Sequence, residues 1–428
     1  GTTLILLLLS GIPVAFALGI TAMIFISIDE GVEGFGVLAE TLFGALDEFA
    51  LLSIPMFLLM GAAIAASRAG ADLYEAIDRW LYRVPGGLLI SNIGACGIFA
   101  ALTGSSPATC AAIGKMGIPE MTKRGYPASL ATGSIAAGGT LGILIPPSIT
   151  MIVYGIATET SIGRLFMAGM LPGLMLVGLF MLWGWVYAYS KGYRFVDTDR
   201  HFSLREKIAI LPKILPFLAV IATVLWALYG GVATPSEASG VGALFCILLV
   251  IIIYRVWKPT ALWDIVSSAT RESVMLMMII GMAALFSYMM SSLYITQGIA
   301  EWIVGLDVNK WVLLLYINLF LLVAGFFLPP VAVILMTTPT LVPIVTGAGF
   351  DPIWFGVILT LNMEIGLITP PVGLNLYVIN GIVPEVPLKT ILWGALPFMM
   401  CLVVGIILLI LFPQIALWLP NYIMGDAL

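Results

Sequence analysis

The sequence GLITPPVG at Gly366–Gly373 has a counterpart, GILIPPS, at Gly142–Ser148. The Pro-Pro pairs of these two stretches begin 224 residues apart, at Pro146 and Pro370. The same shift, applied without gaps, aligns further residues: Gly142 with Gly366, Pro119 with Pro343, Gly125-Tyr126 with Gly349-Phe350, and Ser105-Ser106 with Pro329-Pro330. Because self-similarity at a fixed offset is the signature of an internal repeat, the chain is predicted to contain two related halves.

The composition indicates that the solvent around this chain is a lipid bilayer. Of the 428 residues, 61% are hydrophobic and 10% are charged, whereas soluble domains are roughly 45–50% apolar and about 25% charged. Apolar runs recur from Leu4 to Leu419, so the whole chain is predicted to be membrane-embedded, rather than held by one anchor.

Several function classes are disfavoured by what the sequence lacks. The one histidine, His201, lies in a charged loop, so neither a zinc site nor a histidine-based triad is expected. The four cysteines sit in apolar runs without a CxxC pair, no GxxxxGK[ST] phosphate loop occurs, and a net charge of −5 gives no basic face for nucleic acid. We therefore expect no enzyme, no transition metal and no organic cofactor.

Hydropathy and charge predict the spanning helices and their orientation. Since about 20 apolar residues are needed to cross the hydrocarbon, spans are predicted at Leu4–Ile28, Ala50–Ala66, Leu165–Tyr189, Ile214–Tyr229, Ala238–Tyr254, Ser273–Leu293 and Ile391–Phe412. Lys and Arg crowd the connections 68–83, 191–213 and 255–271 and are absent from 29–48 and 230–238. Because positive loops face the cytoplasm, the N-terminus is predicted to be cytoplasmic.

Each half is predicted to contain a short hairpin and a long interrupted helix. The hairpins are Leu88–Leu102 with Ala108–Met121, and Trp311–Phe326 with Ala332–Thr346. Stretches of about 14 residues reach about 20 Å, which is less than the roughly 30 Å of the hydrocarbon core. The interrupted helices are 127–157 and 352–381, broken at 138–148 and 364–373. An odd number of crossings separates the halves, so the predicted fold is an all-α integral membrane protein with an inverted repeat, two re-entrant hairpins and two broken transmembrane helices.

The charge pattern divides the chain further. Charged and apolar residues in Ala66–Gly87 alternate with helical spacing, as in a helix at the membrane interface. The predicted segments are N-terminal scaffold helices at 1–66, an interfacial arm at 67–87, the first hairpin and broken helix at 88–160, scaffold helices at 161–293, a second arm at 294–310, the second hairpin and broken helix at 311–382, and a C-terminal scaffold helix at 383–428.

The two breaks are predicted to bind Na⁺. Adjacent prolines free backbone carbonyls, which are costly in hydrocarbon unless they line a polar cavity or hold an ion, and the C-terminal ends of half-helices favour a cation. A lone kink is usually explained by packing, but two matched breaks that each follow a hairpin favour a site. The predicted ligands are Thr103, Gly104, Ser105, Ser106, Gly138, Thr140 and Gly142 at the first site, and Phe327, Pro329, Asn362, Gly366 and Thr369 at the second, whose hairpin tip lacks a hydroxyl.

Isolated polar residues leave two interpretations open. Glu364 lies deep in an apolar run, where an ionisable residue is either functional or the partner of a helix end. Asn92, Asn375 and Asn380 either contact substrate or cap the broken helices.

Three motifs resemble the large permease subunit of TRAP transporters (tripartite ATP-independent periplasmic, DctM-type). They are TGSSP at Thr103–Pro107, IPPS at Ile145–Ser148 and GLITPPVGLNL at Gly366–Leu376, and the resemblance covers essentially the whole chain. It implies Na⁺-coupled secondary uptake of an organic acid by an elevator mechanism in the bacterial inner membrane. The implied partners are a small four-helix membrane subunit, expected to be a separate chain, and a periplasmic substrate-binding protein.

The repeat and the resemblance together place the substrate between the hairpin tips, once Na⁺ has ordered them. The candidate substrate-binding residues are Asn92, Ser106, Pro107, Asn375, Gly373, Pro330 and the two Pro-Pro pairs, Pro146 with Pro147 and Pro370 with Pro371. Phe99–Leu102 before the first tip is most similar to the sialic acid members, so N-acetylneuraminate is the expected substrate. Pro329-Pro330 stand where the family often carries Asp-Thr, so the second ion site would depend mainly on backbone carbonyls.

Three rival functions make different predictions. A stand-alone ion-coupled dicarboxylate or anion carrier of a related elevator fold would need no binding protein. A channel would give fluxes that ignore an opposing Na⁺ gradient. An intramembrane enzyme would need a nucleophile and a base, or a metal cluster, and the sequence offers neither.

Overall fold

The computed structural model describes residues 2–31, 34–191, 202–305 and 308–425, and within these ranges the chain forms helices, turns and loops without a β-strand. Of the predicted loop residues, Arg194, Arg200 and His201 lie outside the described residues. Seven helices are long and apolar enough to cross a membrane, and a bent pair, Gly36–Leu46 with Phe49–Ala65, is a further candidate. The protein is therefore a multi-pass, all-α membrane protein, as predicted.

Five helices precede the first repeat: α1 (Thr2–Leu9), α2 (Val14–Asp29), α3 (Gly34–Leu46), α4 (Ser53–Ala65) and α5 (Ala69–Leu81). The prediction of one continuous span at Leu4–Ile28 is wrong, because α1 and α2 are separate. Gly11 between them has a left-handed φ of +83°, and Pro13 precedes α2 and lacks the N–H that a continuous helix would need. The interfacial arm predicted at 67–87 contains the helix α5.

The first repeat consists of the hairpin α6 (Gly87–Thr103) and α7 (Ser106–Lys123), followed by α8 (Ala128–Thr140) and α9 (Ile149–Thr158). The second consists of the hairpin α16 (Lys310–Phe327) and α17 (Pro330–Gly347), followed by α18 (Pro352–Leu367) and α19 (Leu374–Ile382). The hairpin helices have 17 or 18 residues and each reaches about 27 Å. They are longer than predicted because α7, for example, continues past its apolar run into charged residues.

The breaks are shorter than predicted, since Gly138–Thr140 and Glu364–Leu367 remain helical. The chain leaves the α-helical path only at 141–148 and 368–373, where both Pro-Pro bonds are cis. A proline displaces the carbonyl four residues before it, which corresponds to Gly142 for Pro146 and Gly366 for Pro370. The chain therefore stays helical until it comes close to Gly142 in the first repeat and Gly366 in the second.

Between and after the repeats lie α10 (Ile162–Ser190), α11 (Leu204–Ala209), α12 (Leu211–Tyr229), α13 (Pro235–Tyr254), α14 (Pro259–Ser292), α15 (Ile295–Gly305), α20 (Leu388–Leu411) and α21 (Gln414–Met424). Helix α14 begins well before the predicted start at Ser273. Helix α4 packs against α13 and α14, and α2 also packs against α14.

Each hairpin packs against one half of each broken helix. Helices α6 and α7 contact α8 of their own repeat, and α7 also contacts α19 of the other repeat. In the same way, α16 and α17 contact α18, and α17 contacts α9. This exchange relates the two halves by a pseudo-two-fold axis, which is the arrangement expected of an inverted repeat.

Helices α8 and α20 cross at unusually short distance through two glycines. A Cβ atom on Gly133 would lie 2.0 Å from the carbonyl carbon of Gly394, and one on Gly394 would lie 1.8 Å from the carbonyl oxygen of Ser129. Small residues allow membrane helices to approach this closely. The crossing fixes the first broken helix against α20.

We expect Gly133→Ala to lower the melting temperature of the purified protein, because the added methyl group forces two backbones apart. Overpacking of this kind costs about 1–3 kcal/mol. Gly178→Ala is the control, since no atom lies within 4 Å of a Cβ at that position of α10. Equal melting temperatures for the two variants would contradict the close crossing.

Candidate functional site

The tip of the first hairpin lies directly on the first break. Gly104 has a left-handed φ of +58°, and a Cβ there would lie 2.5 Å from the carbonyl oxygen of Pro147. On the other side of the tip, a Cβ on Gly142 would lie 2.8 Å from the carbonyl carbon and oxygen of Ser105. The structure therefore brings the predicted ligands Gly104, Ser105 and Gly142 together, and only glycine fits at position 104.

Hydroxyl groups cluster behind this tip. Thr103 Oγ1 lies 3.0 Å from Thr109 Oγ1, and Thr109 Oγ1 donates to the carbonyl oxygen of Ser105 at 2.9 Å. Both threonines are buried. Sequence reasoning missed Thr109, although a fourth hydroxyl so close to the predicted tip was a usable signal.

The side chain of Asn375, in the second repeat, forms hydrogen bonds with the first hairpin. Its Nδ2 donates to Ser106 Oγ at 2.8 Å and to the carbonyl oxygen of Ala136 at 2.9 Å, while Ser106 Oγ donates to Asn375 Oδ1 at 3.0 Å. Both side chains are completely buried. These two predicted substrate ligands therefore form a link between α7, α8 and α19.

The second hairpin tip lies on the second break in a similar way, but through backbone atoms. A Cβ on Gly366 would lie 2.4 Å from the carbonyl oxygen of Gly325. The backbone N–H of Val372 donates to the carbonyl oxygen of Phe326 at 3.2 Å. Thr369, a predicted ligand, donates its hydroxyl to the carbonyl oxygen of Ile365 at 2.7 Å.

A pair of asparagines connects this hairpin to α18. Asn362 Nδ2 donates to Asn318 Oδ1 at 2.7 Å and to the carbonyl oxygen of Ile358 at 2.9 Å. Asn362 is completely buried, and its Oδ1 accepts no hydrogen bond from the described residues. Sequence reasoning missed Asn318, although an amide in the middle of the apolar helix α16 was a signal in its own right.

The two broken helices meet at Thr140 and Glu364. These residues are 224 positions apart, the offset of the repeat, so they are equivalent positions in the two halves. Thr140 Oγ1 lies 3.3 Å from Glu364 Oε2, and both side chains are completely buried. The structure therefore places Glu364 at the contact between α8 and α18, and both interpretations of this residue stay open.

A cavity of about 290 Å³ opens against the first tip. Thr103 and Ser105 line it on the hairpin side, small residues of α4 form one wall, and Asp264, Ser268 and Glu272 of α14 form another. Its charged lining residues are both acidic. A cation is therefore electrostatically favoured in this cavity over an anion.

The remaining predicted site residues differ in whether they lie at the hairpin tips. Asn92 is buried inside the first hairpin, with Nδ2 at 2.7 Å from Met121 Sδ, and is eleven residues before the tip residue Thr103. The structure therefore does not bring it to either tip. Gly138 packs on Cys96, and Gly373 precedes α19 with a φ of +49°. The tips contain Pro107, Phe327, Pro329 and Pro330. Pro146 and Pro147 are buried, whereas Pro370 and Pro371 are exposed.

Both tip-and-break contacts present neutral oxygen atoms from hydroxyl, amide and carbonyl groups. Within the described ranges, no group of three or more His, Cys, Asp and Glu residues is positioned to hold a metal ion. Oxygen donors of this kind suit a hard cation.

We expect Asn375→Leu to loosen the first hairpin tip, because Ser106 Oγ and the carbonyl of Ala136 lose their donor in a dry environment. Leaving such groups unsatisfied costs about 1–3 kcal/mol. The melting temperature should fall, and thiol labelling of a Ser105→Cys reporter should become faster.

Asn380→Leu is the control, since the half-buried Asn380 of α19 donates its Nδ2 to the carbonyl oxygen of Val386 and not to a described residue of the first hairpin. Identical labelling rates in the two backgrounds would show that Asn375 does not hold the tip.

Residues 2–415 match the protein family described as the tripartite ATP-independent periplasmic transporter, DctM component. The chain is 40% identical over 386 residues to the C4-dicarboxylate TRAP transporter large permease protein DctM of Pseudomonas aeruginosa, covering 90% of each chain. It is 30% identical to the sialic acid TRAP transporter large permease protein SiaM of Vibrio cholerae, covering 98% of this chain and 97% of that one.

Among solved structures, the YdaH transporter of Alcanivorax borkumensis has a similar fold, with a TM-score of 0.68 at 16% identity over 92% of this chain and 91% of that one. The sequence relatives are transporter permeases and not enzymes. The resemblance seen in the motifs is thus confirmed, and the chain belongs to the DctM family of TRAP transporter large permeases.

Proposed function

We propose that this permease takes up a small organic anion by Na⁺-coupled secondary transport. The observation that carries the proposal is that both hairpin tips lie on helix breaks and are surrounded there by neutral oxygen atoms. Na⁺ bound at the first tip would be held by oxygens of Thr103, Ser105 and the break around Gly142. Na⁺ at the second tip would be held by carbonyls around Gly366 and by Asn362, whose Oδ1 accepts no hydrogen bond within the part of the chain that the structure describes.

Ion binding would then prepare the substrate site between the tips. An ion that has already ordered a mobile tip removes the entropy cost of ordering it from substrate binding, so the substrate binds more tightly. By thermodynamic linkage, bound substrate strengthens ion binding by the same factor. The acidic cavity beside the first tip supports an ion route along α14. The cavity and both tips lie at the boundary between hairpins and the surrounding helices, where a moving element would expose or cover them.

The substrate class is an organic acid, and its identity is part of the proposal. The motif before the first tip favours N-acetylneuraminate. The relative named for C4-dicarboxylate is more similar to this chain than the relative named for sialic acid, at 40% against 30% identity, which favours a four-carbon dicarboxylate. The two candidates differ in size and charge, so direct competition between them is informative.

We further propose that the permease lies in the bacterial inner membrane with its N-terminus in the cytoplasm. It would work there with a small membrane subunit and a periplasmic substrate-binding protein. The family membership supports both partners, and the basic connections 68–83 and 255–271 support the orientation.

An elevator movement of the hairpins against the scaffold is supported by the contacts of the arm helix α5. Asp72 binds scaffold residues, with Lys213 Nζ at 3.4 Å and the hydroxyl of Tyr254 at 2.8 Å. Asp78, six residues later, instead pairs with Arg124 at the end of α7, at 3.5 Å. The arm therefore connects the two bodies, and a movement of the hairpin past a fixed arm would break the contact of Asp78.

We expect Ser105→Ala to raise the Na⁺ concentration for half-maximal uptake about tenfold, because a bond to a charged partner is worth on the order of 1.5 kcal/mol. Ser190→Ala removes an exposed hydroxyl at the end of α10 and should have no effect. An unchanged Na⁺ dependence in both Ser105→Ala and Ser106→Ala would show that the first tip holds no Na⁺.

Cross-linking should locate the moving boundary. With native cysteines replaced, a short bifunctional thiol reagent joining Asp78→Cys to Arg124→Cys should stop uptake, because it ties the hairpin to the arm. Joining Asp72→Cys to Lys213→Cys should permit uptake, because both residues belong to the stationary side.

The reverse pattern would mean that the arm travels with the hairpin. Uptake that survives both cross-links would contradict the elevator movement.

A further inference from the structure

The carboxyl group of Glu364 lies where two sources of negative potential converge, the C-terminal ends of α8 and α18. Thr140, its neighbour, is the last residue of α8, and Glu364 itself is in the last turn of α18, which ends at Leu367. The C-terminal end of a helix carries a partial negative charge that is felt within its last turn. A carboxylate facing two such ends is strongly unfavourable unless a positive charge is present.

Among the described residues, no side chain supplies that positive charge. Glu364 is completely buried, and within the described residues no Lys, Arg or His forms an ion pair with it. Burying an ionised carboxylate without a compensating cation costs several kcal/mol or more.

Hydrogen bonding does not compensate the carboxylate either. Thr140 Oγ1 has one proton and a nearer acceptor in the carbonyl oxygen of Ala137, at 2.8 Å, compared with 3.3 Å to Glu364 Oε2. Glu364 Oε1 has no hydrogen-bond partner at all among the described residues. The acceptor oxygen atoms around Glu364 therefore outnumber the hydrogen-bond donors that could satisfy them.

We propose that Glu364 and Thr140 form a Na⁺ site on the pseudo-two-fold axis, separate from the sites at the two hairpin tips. Its oxygen donors are the carboxylate of Glu364, Thr140 Oγ1 and the carbonyl of Ala137, a hard-donor set that suits Na⁺. The proposal rests on the proposed Na⁺ coupling and adds one ion to it.

The position of this site gives it a distinct role. It joins equivalent residues of the two halves, and neither hairpin tip contributes to it. An ion here would hold α8 and α18 together during the movement of the hairpins, while the ions at the tips are exchanged.

The test is equilibrium binding of radiolabelled Na⁺ to the purified permease in complex with its small membrane subunit. Glu364→Gln keeps the shape of the side chain and removes its charge, so it should lose one equivalent of bound Na⁺. Thr140→Val should weaken the same equivalent, and Glu364→Asp should retain it with lower affinity. Matched controls are Glu385→Gln, an exposed carboxylate, and Thr360→Val, a buried hydroxyl one turn from Glu364 on α18. Both should bind as much Na⁺ as the native complex.

The outcomes separate this proposal from the proposed function. If Ser105→Ala loses Na⁺ while Glu364→Gln binds as much as the native complex, the axial site is wrong and the coupling at the tips stands. If Glu364→Gln alters only the pH dependence of uptake, the carboxyl group carries a proton and no Na⁺. The axial site is then wrong as well, and the coupling at the tips stands. If Glu364→Gln loses its equivalent although a Na⁺ gradient does not drive uptake, the axial site stands and the coupling is wrong.

Discussion

The structure depends on how two interrupted helices satisfy their backbone and polar groups in an apolar solvent. Each break frees carbonyl and N–H groups that lipid cannot solvate, and each is contacted by the tip of the hairpin from its own repeat. Buried side chains then tie the halves together: Ser106 with Asn375, and Thr140 with Glu364. The same contacts that protect the breaks also collect oxygen atoms, so under the proposed function stability and ion binding have one structural origin.

In both halves a hairpin tip contacts a helix break, but the chemical groups that make the contact differ. The first tip has hydroxyl groups and its break is buried, with Pro146 and Pro147 inside the protein. The second tip has prolines instead, its contacts are made by backbone atoms of Gly325 and Phe326, and Pro370 and Pro371 are exposed. The first break is therefore shielded from solvent, whereas the prolines of the second break are open to it.

Much of the fold could be predicted because its determinants are local or periodic. The offset of 224 residues identified the repeat, and it also relates Thr140 to Glu364. The break at Gly11–Pro13 was missed because the apolar run on both sides is continuous in sequence. The partnership of Asn318 with Asn362 could not be predicted, since it depends on how the second hairpin packs against α18. Asn92 was grouped with the site by residue type, whereas its position along α6 places it inside the hairpin.

The most direct test of the account is uptake into proteoliposomes that contain this chain and its small membrane subunit. Labelled N-acetylneuraminate and a labelled C4-dicarboxylate would be supplied in parallel, with the cognate binding protein and an inward Na⁺ gradient added separately and together. The account predicts accumulation of one of these anions only when the binding protein and the gradient are both present. Accumulation driven by the gradient without a binding protein, or a flux that ignores an opposing Na⁺ gradient, would contradict it.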